Sequence, residues 1–194
     1  RKMIFDPTKD IYIDKLWPTY MYVGKVEDID NEKIAEWILD FKKNNEGRKV
    51  SNQGGWQESI DKYQHDPIFK DYIQAIIQTL KITKLKLSPE TQVAIHSWAN
   101  VNEKGNWNLL HDHPGVALSG VYYVKVPKNS GDILFFDPRK LNNLDASFEE
   151  QRKVIGSEPV AGNLFIFPPY LEHMVTPSTS DETRISIAFN IVTK

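Results

Sequence analysis

Residues 183–192 read Thr-Arg-Ile-Ser-Ile-Ala-Phe-Asn-Ile-Val. On an extended strand successive side chains point to opposite faces. Arg184, Ser186, Ala188 and Asn190 therefore share one face, while Ile185, Ile187, Phe189 and Ile191 share the other. The second face belongs in a hydrophobic core. The first is small and polar and carries a guanidinium, which needs an anion because an unpaired buried charge is expensive.

Working outward, everything from Gln92 onward has the texture of strand and turn. Candidate strands cover Gln92–Asn100, Gly120–Val126, Asp132–Phe136, Asn163–Phe167, His173–Thr176 and Thr183–Val192, punctuated by Gly, Pro and Asn. Many short strands in succession suggest a sandwich or barrel and not a parallel α/β sheet. Residues 28–87 read as mainly helical. Ile34, Trp37, Ile38 and Phe41 recur at helical spacing behind a cap candidate, Asp30. Asp66-Pro67 opens a second helix whose stripe is Phe69, Tyr72, Ile73, Ile76, Ile77 and Leu80. Leu16–Val23 reads as a strand, placed at an edge by Pro18. The expected fold is α+β, mainly β: a double-stranded β-helix (jelly-roll, cupin-like) barrel with N-terminal helices packed outside. It forms a single domain over residues 1–194, with 1–90 as helical support and 91–194 as the core. The loop Ser51–Trp56 reads either as a surface turn anchored by its Trp or as a loop over an active site. The polar stretch 139–152 reads as a flexible insert.

The bulk properties narrow the chemistry. With 194 residues the chain can bury a sizeable core. A formal net charge of -2 gives no basic excess pointing to nucleic acid or to an anionic membrane. Cysteine is absent, which removes disulfides, thiolate nucleophiles and Cys-ligated metals, so any metal must sit on histidine and oxygen ligands. Apolar runs such as Ile133–Phe136 are too short to span a bilayer. Arg1–Asp10 does not resemble a signal peptide, which makes the cytoplasm the default compartment, although a chain starting at Arg1 leaves room for upstream residues.

Of the five histidines, His65 lies in a polar turn and reads as solvated, while His96, His111, His113 and His173 fall in the strand-rich half. In His111-Asp112-His113 the two imidazoles share a face and can reach one metal ion, with Asp112 pointing away unless a bulge re-aims it. Such a pair alone also fits an exposed strand with no metal. His173 arrives 60 residues after His113, and Arg184 follows eleven residues later. Together these spacings favour a metal site with an anion-binding wall.

This arrangement resembles the 2-oxoglutarate/Fe(II) dioxygenase superfamily, in particular its prolyl-hydroxylase-like branch. The superfamily pattern is His-x-Asp/Glu, a distant His, and then an Arg often followed by x-Ser. Here it stands as His111-x-His113, His173 and Arg184-x-Ser186. Ser119-Gly120-Val121-Tyr122-Tyr123-Val124 occupies the place of the strand that follows the first ligands, and Gly162-Asn163-Leu164-Phe165-Ile166-Phe167-Pro168-Pro169 precedes the distal His as in that branch. More narrowly, Trp98 to Asn190 is similar to 2OG-Fe(II) oxygenases of bacterial, phage and metagenomic origin, which also carry His-x-His-Pro and a downstream Asp-Pro-Arg, here Asp137-Pro138-Arg139.

The resemblance implies Fe(II) on His111, His113 and His173. It also implies 2-oxoglutarate held by Arg184 with Tyr123, Ser186 and Ser119, and hydroxylation of an unidentified substrate with O2 as 2-oxoglutarate becomes succinate. One departure stands out: the usual triad is two histidines and a carboxylate, and His113 takes the carboxylate position. A three-histidine site, a bulge that turns Asp112 inward, and a site that has lost its iron all remain open, with strand parity favouring the first. Competing functions are a cupin-type three-histidine dioxygenase or isomerase without 2-oxoglutarate, and a non-catalytic jelly-roll binding module. A Ser–His hydrolase is remote, because Ser119 lacks a nucleophile elbow.

Softer candidates surround the site. His96, Trp98 and Asn100 share a strand face and fit either core packing or pocket lining. Asn190 fits either role too, and Tyr122 reads as packing. Asp137 and Arg139 read as a structural ion pair or a substrate contact, and Asp132 as a turn residue. The second helix, the 51–56 loop and the 139–152 insert could shape the entrance. The substrate is a small molecule or a peptidyl group, with no nucleic acid or membrane partner evident and a homodimer left open.

Overall fold

The alternation at 183–192 becomes a ten-residue strand, Arg184–Thr193, paired on both sides. The computed structural model describes residues 18–83, 90–139 and 153–193. Along the chain these form β1 (Tyr22–Lys25), α1 (Asn31–Lys43), β2 (Asn52–Gln53), β3 (Trp56–Ser59), α2 (Lys70–Ile82), β4 (Val93–Asn102) and β5 (Trp107–His111). They continue with β6 (Leu118–Lys125), β7 (Ile133–Phe136), β8 (Val154–Ser157), β9 (Asn163–Phe167), β10 (His173–Val175) and β11 (Arg184–Thr193). The larger sheet runs β1-β9-β6-β11-β4-β3 and the smaller β2-β5-β10-β7-β8, with antiparallel pairing in both. This is the two-sheet arrangement of a jelly roll. No helix among the described residues is long and apolar enough to cross a membrane.

Each helix starts where its sequence says it should. Asp30 accepts a hydrogen bond from the Lys33 amide (3.2 Å) and caps α1. Asp66 caps the second start by accepting from the Ile68 amide (3.0 Å), with Pro67 first. That start is a 3-10 turn, Pro67–Phe69, and α2 proper begins at Lys70. Both helices lie on one face of the larger sheet. Ile34, Ile38, Phe69, Tyr72 and Ile76 pack there against Tyr122 and the apolar face of β11. Each large aliphatic or aromatic side chain buried this way contributes about 1.5–3 kcal/mol. Ile77, placed on the apolar stripe from the sequence, is 39% exposed.

The opposite face of the larger sheet meets the smaller sheet. Val121, Tyr123, Phe165 and Phe167 from one pack with Ile133 and Phe135 from the other. Gly120 is required at the centre of β6, because a Cβ there would collide with the Phe189 ring and the Phe165 carbonyl oxygen.

Several elements differ from the sequence reading. The edge strand expected at Leu16–Val23 lies at Tyr22–Lys25, after Pro18, and does sit at a sheet edge. The segment before residue 91 also supplies β2 and β3. Gly54, at φ 79°, turns between β2 in one sheet and β3 in the other. Strands β5 and β8 escaped the sequence reading. Leu109 and Leu110 are both exposed, so β5 shows no apolar alternation. The 139–152 insert, apart from Arg139, and the Arg1–Asp10 segment lie outside the described residues.

Candidate metal centre

The smaller sheet brings two of the histidines together by register. His111 ends β5 and His173 opens β10, and the two are direct cross-strand partners. His113 lies two residues past β5, where its backbone N–H donates to the Pro169 carbonyl (2.9 Å), tying the turn to the segment that leads into β10. The ring nitrogens of His111, His113 and His173 that could bind an ion all lie within 4.8 Å of one another. Asp112 is exposed, so the geometry gathers the three imidazoles and leaves the carboxylate outside.

The ring tautomers are set from behind. His111 Nδ1–H donates to the Leu109 carbonyl (2.7 Å) and His173 Nδ1–H to the Leu171 carbonyl (2.9 Å), which leaves each Nε2 with a free lone pair. The Nε2 atoms of His113 and His173 face each other at 3.3 Å. Burial, reinforced by His111, pushes His113 down to about 4, against a smaller opposing pull from Asp112. Burial and His111 likewise push His173 down to about 3, although the Leu171 carbonyl opposes this. Phe167 packs on the His173 ring at 4.8 Å and contributes to that burial. Neutral imidazoles with bare Nε2 atoms are what a divalent cation requires.

The wall of the same cavity comes from β11 and β6. Arg184 is 2% exposed; its Nη1 donates to the carbonyls of Ser130 (2.9 Å) and Gly131 (3.3 Å), while its Nε has no partner among the described residues. Burial lowers the pKa of the guanidinium, with Tyr123 and Asp132 opposing. Tyr123 is buried beside it, and burial pushes its phenol up to about 12. Ser186 is the cross-strand partner of Tyr123 and also lines the cavity. Ser119 does not line it: fully buried, it donates to Asn190 Oδ1 (2.8 Å).

The softer candidates separate cleanly. Trp98 and Asn100 line the cavity, whereas His96 is exposed, with Nδ1 3.0 Å from Asp61 Oδ2. Tyr122 points to the helix side and donates to Asn31 (2.7 Å). Asp137 and Arg139 form a two-pronged ion pair (2.9 and 2.6 Å). Asp132 is exposed at the turn before β7, where its amide donates to Thr176 Oγ1 (2.8 Å). His65 is exposed. Ser51, on the loop read as a surface turn or a loop over an active site, lines the cavity, and so does Gln57, which that reading did not single out; they come from either side of the glycine turn, whose Trp56 is anchored by donating Nε1–H to the Asn45 carbonyl (2.8 Å). The only hint in the sequence was the glycine turn itself.

Residues 96–190 match the family described as "Putative 2OG-Fe(II) oxygenase". The match spans just under half of the chain, and over these residues the sequence is similar to the 2OG-Fe(II) oxygenase superfamily. That superfamily is one of oxidoreductases. No curated protein matches the sequence. Solved structures share the fold of this chain. A prolyl hydroxylase from Trichoplax adhaerens, in complex with a hypoxia inducible factor peptide fragment, is 12% identical, with a TM-score of 0.65 over 89% of this chain and 83% of that one. A Pseudomonas putida prolyl-4-hydroxylase is 18% identical, with a TM-score of 0.65 over 90% and 92%. HygX from Streptomyces hygroscopicus, with nickel and 2-oxoglutarate bound, is 9% identical, with a TM-score of 0.62 over 90% and 83%.

Proposed function

We propose that the protein is an Fe(II)- and 2-oxoglutarate-dependent dioxygenase that hydroxylates a small-molecule or peptidyl substrate. One observation carries this reading: three converging imidazoles share a cavity with a buried arginine whose Nε lacks a partner. In this reading His111, His113 and His173 hold the metal through their Nε2 atoms. Arg184 makes a charge-assisted pair with the far carboxylate of 2-oxoglutarate, with the Tyr123 hydroxyl and Ser186 adjoining. Three neutral ligands leave the cation its full charge, which an anionic co-substrate offsets. When bound, the metal and 2-oxoglutarate supply the oxidation: one oxygen atom of O2 enters a substrate C–H bond and the other enters succinate, with release of CO2. The chain orients these groups, and Val121, Ile133 and Phe167 exclude water behind them.

The test is an anaerobic Fe(II) titration with and without 2-oxoglutarate, following the visible charge-transfer band. The band should need both components. Arg184→Ala should weaken 2-oxoglutarate by roughly 30-fold or more while metal binding alone persists. Loss of metal affinity instead would mean that Arg184 does not act as the co-substrate anchor. The all-histidine ligand set favours a second reading, a cupin-type dioxygenase without 2-oxoglutarate, for which iron would bind and no band would appear.

A further inference from the structure

Gln57 sits at the mouth of the site with an unmet hydrogen-bonding need. It is 7% exposed, lines both the metal cavity and the wider cleft outside it, and its Oε1 has no partner among the described residues. Leaving a buried acceptor unpaired costs stability, so such a group calls for a partner that arrives from elsewhere.

The sheet register shows what lies beside it. Gln57 pairs with Asn100 on β4, and Asn190 pairs with His96 at the other end of the same stretch. Trp98 stands between them, with its ring 6.0 Å from that of His113. Ser119 donates to Asn190 Oδ1, which leaves the Asn190 NH2 as the side chain's donor on a residue that lines the cleft. The cleft therefore has an acceptor at one end, a donor at the other and an aromatic face in the middle. Leu109 and Leu110, 41% and 47% exposed, form an apolar rim. Its lining carries one cation and one anion, Arg48 and Asp112, so no single charge sign dominates it.

We propose that Gln57 is a substrate-recognition residue, its Oε1 accepting a hydrogen bond from an amide N–H or hydroxyl of a neutral, partly apolar substrate laid across Trp98. This rests on the reading that the three imidazoles hold the reactive metal, because that reading makes the adjoining cleft the substrate side.

The test uses N-acetyl-L-leucinamide as probe and methyl-labelled, metal-free protein, so its outcome does not depend on turnover. The probe should shift the Leu109 and Leu110 methyl resonances saturably. Gln57→Leu should weaken that binding roughly fivefold or more. It should also raise the Tm of the free protein by about 2–4 °C, since it removes an orphaned acceptor. Gln57→Glu, which keeps an acceptor oxygen, should bind the probe better than Gln57→Leu does. The proposal is overturned by any of four results: no methyl shifts in the parent protein, undiminished binding in Gln57→Leu, binding lost equally in Leu and Glu variants, or a lowered Tm in Gln57→Leu. A 2-oxoglutarate band lost in Gln57→Leu would also overturn it, by placing the residue on the co-substrate. Failure of the parent protein to give that band would instead sink the cofactor reading and leave the methyl titration standing.

Discussion

The two faces of β11 do different work. On one, Ile185, Ile187, Phe189 and Ile191 are fully buried under the helices among apolar neighbours. On the other, Arg184, Ser186 and Ala188 line a cavity, and Arg184 keeps an unpartnered nitrogen. The first face satisfies every demand of folding. The second carries costs that a folding argument alone would remove. Stability and chemistry are thus separated by one side-chain position along a single strand.

The largest effect should come from the site face. His113→Ala should reduce Fe(II) binding to background in a metal-content assay, while the fold persists. If iron still binds with parental stoichiometry, His113 is no ligand. On the helix face, Phe189→Ala should cost about 3–5 kcal/mol in denaturant unfolding. A loss below about 1 kcal/mol would show that the face is not the main core. An intermediate effect should appear with pH in the metal-free protein. Folding holds His113 and His173 below the ordinary 6.5 at about 4 and about 3, so the unfolded chain takes up protons first as pH falls. Stability should decline from pH 6.5 downward through that window, and saturating metal should raise stability at each pH without removing the decline. On the alkaline side both faces contribute. Burial raises Tyr72 under the helix and Tyr123 in the cavity above the ordinary 10, so stability should fall as pH rises past 10. Flat urea midpoints across either window would contradict the burial of those groups. The smallest effect belongs to Asp112→Ala, which should leave metal affinity unchanged and stability within about 0.5 kcal/mol. A large loss of iron there would restore the carboxylate site.

The same two faces explain what the sequence could and could not reveal. Period-two alternation in β11 is local, so its core residues and Arg184 were legible without a structure. The histidines were legible because His111 and His113 are near neighbours and resemblance to a known pattern supplied His173. Gln57 was not legible. Its place in the cavity depends on β3 pairing with β4, Gln57 opposite Asn100, and nothing in a four-residue strand announces so distant a partner. His96 was ambiguous because strand parity gives the face but not the exposure, and Asp61 holds the exposed imidazole by a hydrogen bond. Ser119 has the right parity, yet Asn190 claims its hydroxyl.

His111 and His173 face each other across β5 and β10, and β10 is only three residues long. A metal ion held by both would fasten together two points separated by about sixty residues of chain, and clips that close long loops gain the most from the entropy they remove. The ion would then be a clasp on the smaller sheet as well as a reactant. Thermal unfolding should climb with free metal concentration, logarithmically and without plateau, long after every site is filled.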